Sequence, residues 1–97
     1  MPVLEAAHIK PVAKDGPYIA SNGLLLRSDF HTLFDDGYIT IGKDYRIYVS
    51  KRLHEDYGNG RDYYKYHGQK LLILPESIEN MPSKDYLEWH NENVFLG

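Results

Sequence analysis

Three residues in the first third of the chain are of types that could carry chemistry: His8, Asn22 and His31, spaced fourteen and nine residues apart. An imidazole titrates near neutrality, so His8, at the end of a short apolar run and just before Pro11, could take a proton from water. Asn22 offers donors and an acceptor on one amide and could tie a loop back to backbone groups. His31 could bind a metal ion through a neutral ring nitrogen.

Those residues need elements to hold them. Val3 to Ile9 reads as a strand that Pro11 ends. Residues 10–21 hold two prolines and Gly16 with little periodicity and read as a loop. Gly23 to Leu26 is a brief apolar run of strand length. Ser28 is a suitable N-cap, Asp29 falls in the first turn and Gly37 stops the segment, which predicts a helix over Asp29–Asp36 with Phe30, Leu33 and Phe34 toward the core. His8, Asn22 and His31 then stand at the corners of a strand–loop–strand–helix unit running from Leu4 to Asp36.

Beyond it, Tyr38–Ile41 and Tyr45–Val49 alternate around Gly42-Lys43-Asp44, a hairpin pattern. Ser50 is placed to open a short helix through Asp56, closed by Tyr57-Gly-Asn-Gly. Asp62–Tyr66 is aromatic-rich and ambiguous, His67-Gly68 reads as a turn, and Lys70–Leu74 as a strand. Pro75–Pro82 is an acidic connector. Ser83–Phe95 predicts a last helix with Tyr86, Leu87, His90 and Val94 near one face. The whole, residues 1–97, is expected to be one small α+β domain.

Composition narrows the class. Apolar residues make up 42% and charged residues 26% of the chain, a soluble globular balance. Cysteine is absent, which removes disulfides and Cys-based zinc sites and fits a reducing, cytoplasmic setting. No apolar run is long enough to span a bilayer, and no signal peptide is visible. Net charge is −3, yet residues 43–70 hold seven basic side chains against four acidic ones, a local +3, so the rest of the chain sums to −6. That asymmetry permits a phosphate-facing side, although a mixed solvated surface would look the same.

The layout resembles the HNH endonuclease family, whose core is the ββα-metal motif. The resemblance rests on AAHIKP, NGLLLRSDFHTLFDDG, the VSKRL element, NGRDYYKYHG and the closing YLEWHNENVF, and so covers nearly the whole chain. It implies a ββα-metal core with an added β-hairpin and a C-terminal helix, and metal-dependent hydrolysis of a DNA phosphodiester, with one strand nicked at a time. By position, His8 matches the general base and His31 the metal ligand on the helix. Asn22 matches the residue that holds loop and strand geometry. The implied ion is Mn²⁺ or Mg²⁺, with Zn²⁺ less favoured.

The chain departs from the family at Ala7, where many members carry a second metal ligand. Glu5, two residues back on the same strand face, Asp29 just before His31, and then Asp35 one helical turn after it are the candidate replacements. Relatives also carry sequence before LEAAHI, so a minimal member and a fragment of a longer protein both fit. An unpaired first strand would favour a homodimer. Arg27, Lys51 and Arg52 are candidate contacts to the backbone of double-stranded DNA. His54, His67 and His90 have no metal-ligand spacing and are expected to be structural. A DNA-binding module with weak or no catalysis is the principal alternative, motivated by Ala7. A small structural domain with incidental histidines is the third.

Overall fold

The computed structural model describes residues 4–53, 60–71, 74–75 and 77–97. Its first unit is an antiparallel hairpin of β1 (Leu4–His8) and β2 (Gly23–Arg27), with Leu4 opposite Arg27 and His8 opposite Gly23. Strand alternation sorts the side chains. Ala7, Leu24 and Leu26 are buried on one face, while Leu4, Ala6, His8 and Leu25 lie on the exposed one.

Helix α1 (Ser28–Asp35) follows β2 without a linker and packs Leu33 and Phe34 on the buried face. It starts one residue before the sequence prediction. Arg27 takes the cap position and Ser28 is already helical, with no side-chain capping bond. The Asp29 carboxylate accepts the Phe30 N–H instead, at 2.9 Å, and meets one of the unpaired donors of the first turn. Gly37 ends the helix with φ +85°, and a Cβ there would lie 2.2 Å from the Val94 carbonyl oxygen. The Leu96 N–H donates to the Gly37 carbonyl at 2.9 Å, so the C-terminal tail docks on this glycine.

A second hairpin pairs β3 (Ile39–Ile41) with β4 (Ile47–Val49). Helix α2 (Lys84–Asn93) packs on β3 and buries Leu87 and His90. Core side chains from both hairpins, α1 and α2 form one cluster around Phe34, Ile39, Ile41, Leu53 and Leu87. A 3₁₀ helix over Gly60–Tyr66 brings Tyr63 and Tyr66 edge-on to Phe30, at 5.8 and 5.1 Å between ring centroids. The predicted Lys70–Leu74 strand is reduced, among the described residues, to a single bridge between Lys70 and Arg46. Arg52 and Leu53 are helical, and the remainder of the helix expected through Asp56, including His54, lies outside the described residues. No described helix is long and apolar enough to cross a membrane.

His90 is 2% exposed and fully bonded. Its Nε2–H donates to the Phe34 carbonyl at 2.7 Å, which leaves Nδ1 to accept the Thr40 hydroxyl at 2.8 Å. The ring also stacks on Phe34 at 3.7 Å between centroids. Burial pushes its pKa down from 6.5 to about 4, against the opposing pull of the Phe34 carbonyl. The folded value lies below the unfolded one. The stabilisation is therefore fully present above pH 6.5 and is lost as pH falls through the window down to about 4. We expect acidification to pH 4.5 to cost ~2–3 kcal/mol through this residue. Urea unfolding of wild type and His90→Gln at pH 7 and 4.5 checks it. The variant should lose less stability on acidification, and equal losses would contradict the assignment.

Candidate active site

His8 closes β1 on its exposed face, where the chain turns from strand to loop. The ladder continues one step past it, because the Ile9 N–H donates to the Asn22 carbonyl at 3.0 Å and Ile9 is buried. The His8 backbone is thus clamped while its ring projects outward. There it meets the Tyr18 ring edge-on at 5.2 Å.

Asn22 holds the loop between the strands. Its side chain is inaccessible, and every polar atom on it is used. Oδ1 accepts the Lys10 N–H at 2.8 Å, and Nδ2 donates to the carbonyls of Lys10 at 2.9 Å and Pro17 at 3.0 Å. The loop between carries 3₁₀ turns at Val12–Lys14 and Ala20–Asn22. Gly16 passes so close to the Lys10 carbonyl that a Cβ would sit 1.8 Å from its oxygen. Only glycine allows that approach, which lets the loop fold back beneath His8.

His31, on the second turn of α1, lies between two carboxylates. Nδ1 is 2.9 Å from Glu5 Oε1 and Nε2 is 3.2 Å from Asp35 Oδ2. A neutral imidazole has only one N–H, so its second nitrogen would direct a lone pair at a carboxylate oxygen. The arrangement calls for a proton or a cation between the second ring nitrogen and its carboxylate. Partial burial raises the Asp35 carboxyl above its ordinary range. His31 opposes that shift, Asp36 adds to it, and His8 also opposes it. His8, His31 and Asp35 all line one cavity of about 420 Å³.

Asp29 is engaged elsewhere. It takes a two-pronged bond from Arg27, Nε to Oδ1 at 3.0 Å and Nη2 to Oδ2 at 2.7 Å, and a third from the Tyr63 hydroxyl at 3.0 Å. Burial pushes its pKa up, but these bonds and the Phe30 N–H outweigh it, and the carboxyl stays below its ordinary range. Asp29 would have to give up Arg27 to serve a metal, whereas Asp35 already faces His31. Arg27 is bound to Asp29 and lies over the Phe30 ring at 4.4 Å, with about a third of its side chain exposed. Lys51 and Arg52 are exposed within the basic middle. His67 is structural, its Nδ1 accepting the Val49 N–H at 3.0 Å.

Helical phase carried the signal for Asp35 over Asp29. At about 100° per residue, position i+4 falls within about 40° of His31, while i−2 falls about 200° round the helix. Tyr18 had no such signal, because its contact with His8 depends on the path of the whole loop. Among the described residues no three His, Asp or Glu side chains gather as a ready-made metal cluster.

Residues 1–42, which contain both strands of the first hairpin, α1 and all three corner residues, match the family model of HNH endonucleases. No curated protein sequence matches the chain. Among solved structures, a modification-dependent TagI restriction endonuclease shares the fold with a TM-score of 0.69 over 96% of this chain, at 22% sequence identity. The chain spans 28% of that protein's length. The matched segment coincides with the hairpin-and-helix unit that holds His8, Asn22 and His31, and over that unit the chain is similar to the HNH endonucleases.

Proposed function

We propose that the chain is a divalent-metal-dependent nuclease that hydrolyses DNA phosphodiester bonds, nicking one strand per event. The observation that carries this reading is the shared cavity, in which His8 faces the same space as the His31–Asp35 pair. In this reading His8 takes a proton from a water molecule as its oxygen attacks phosphorus, and the bond to the 3′ oxygen breaks. Asn22 keeps the loop beneath His8 in place and touches neither water nor phosphate.

The donors fit an ion that keeps most of its own waters. His31 Nε2 and Asp35 Oδ2, 3.2 Å apart, are spaced as two neighbouring ligands on one ion would be. Glu5 on Nδ1 would orient the ring from behind, as carboxylates commonly do for metal-bound histidines. One nitrogen and one carboxylate, with water filling the rest of the shell, favour Mn²⁺ or Mg²⁺ over a structural zinc. When bound, the ion would stabilise charge developing on the phosphate and the leaving oxygen. Lys51 and Arg52, with the exposed part of Arg27, are assigned to the DNA backbone, where contact is sequence-independent and weakened by salt. One base and one metal position suit a single-strand cut, so a double-strand break would need two subunits or two visits.

The alternative, a module that binds DNA without cutting it, draws on Ala7. That side chain is 1% exposed in the core and supplies no donor. Metal titration of supercoiled-plasmid nicking separates the two. We expect His31→Ala and Asp35→Asn to raise the Mn²⁺ concentration for half-maximal nicking by roughly 10- to 100-fold, Glu5→Gln by roughly tenfold, and Asp29→Asn not at all. Metal-independent binding with no nicking by wild type would favour the binding module. An unchanged Mn²⁺ requirement in Asp35→Asn would remove Asp35 from the metal site.

A further inference from the structure

A second and larger cleft, about 750 Å³, lies beside the outer face of the β1–β2 hairpin. His8 and Tyr18 line both this cleft and the cavity that holds His31, so the two are continuous around the His8 ring. Its walls include Ala6 and Leu25 on the strands, Ile19 on the loop and Pro82 on the connector before α2. Both sides are anchored. The Ser83 N–H donates to the Ser21 carbonyl at 2.7 Å, and Asn22 holds Pro17. Among the described residues the lining contains no Lys, Arg, Asp or Glu. Large apolar surface is nevertheless presented to solvent, with Tyr18 79%, Ile19 52% and Leu25 50% exposed.

We propose that this cleft receives the base and sugar of the nucleotide next to the scissile phosphate, and that the base must be unstacked to enter it. The inference rests on the nuclease reading of His8. A cleft whose described lining carries no Lys or Arg offers a phosphate little beyond His8 at its edge, whereas a nucleobase presents a flat apolar face that stacks on aromatic and aliphatic side chains. The covalent neighbour of a phosphate held at His8 is a nucleoside, and among the described residues this is the larger of the two openings that His8 lines. Within a regular duplex the base faces are hidden in the stack, and only phosphates and groove edges are on offer. The preferred substrate is therefore DNA that is single-stranded or locally unpaired, as in a loop, a mismatch or the strained regions of a supercoiled plasmid. Tyr18, between the two cavities, is the stacking residue, and Leu25 is the floor.

The test measures affinity of the full chain for fluorescein-labelled single strands and for perfect duplexes of the same sequence, by anisotropy in EDTA, with nicking assayed in parallel. Tyr18→Ala and Leu25→Asn both change exposed side chains. We expect each to weaken single-strand binding by roughly fivefold or more and to leave duplex binding within about twofold, with Tyr18→Phe close to wild type. Equal losses on both substrates, or no loss on either, would overturn the proposal. No loss would leave the cleft as a packing face for another protein chain. Nicking that persists while both variants bind normally would sink the cleft alone. The expected binding pattern without nicking would sink the nuclease reading and leave the cleft standing.

Discussion

His8→Ala is expected to lower the single-turnover rate of strand cleavage by roughly 10²- to 10⁴-fold, the usual contribution of a positioned general base. The loss should fall on the chemical step. The His8 side chain is exposed, so its removal opens no core cavity, and the backbone beyond it is held independently by the bond between Ile9 and Asn22. Unfolding free energy should therefore shift by less than about 0.5 kcal/mol, as for surface substitutions in general. DNA affinity in EDTA should change little. The truncation leaves an opening beside the cavity shared with His31 and Asp35, and added imidazole should restore part of the rate. Quenched-flow or manual sampling with excess enzyme reads the rate. A variant that cleaves within threefold of wild type, or that unfolds, would remove His8 from the role of base.

Asn22→Ala is expected to cost ~3–5 kcal/mol of folding stability. Three hydrogen bonds end on this one amide, and the side chain has no solvent contact. Each bond contributes about 1 kcal/mol net, and stranding the half-buried Lys10 and Pro17 groups adds a desolvation penalty of about 1–3 kcal/mol for each group that water does not reach. That is a large share of the ~5–15 kcal/mol available to a small domain. Asn22→Asp is the sharper probe. It keeps the acceptor for the Lys10 N–H but sets a carboxylate oxygen against two carbonyls, so it should rescue little. Urea unfolding at pH 7 measures both, and a loss below about 1 kcal/mol in Asn22→Ala would show that the loop holds itself. Nicking should fall with stability, because the loop that Asn22 anchors carries Tyr18 and lies beneath His8.

The elements around these residues were legible because each is punctuated by residues with a specific backbone effect. Pro11 and Gly16 mark the loop, Gly37 stops α1, and the spacing of Leu33 and Phe34 gives the buried face. The last helix was equally plain from Leu87 and His90. What the sequence could not reveal are contacts between residues far apart in the chain. Thr40 and Phe34 as the partners of His90 are separated from it by 50 and 56 positions. The Tyr18–His8 contact depends on a loop path that two carbonyl bonds to Asn22 determine. Lys70–Leu74 has strand composition, and its described residues pair only at the bridge between Lys70 and Arg46. Asp29 and Asp35 differ only in helical phase, and once α1 is built that phase turns one toward Arg27 and the other toward His31.

The most direct test of the account is the conversion of supercoiled plasmid to open circles by purified wild type and His8→Ala, each in Mn²⁺, in Mg²⁺ and in EDTA. We expect open circles with wild type in Mn²⁺ or Mg²⁺, none in EDTA, and with His8→Ala a conversion at least about 10²-fold slower in either metal. Equal traces of cutting by wild type and variant would point to a contaminating nuclease and contradict catalysis from this cavity. The chain would then be a DNA-binding module without catalysis.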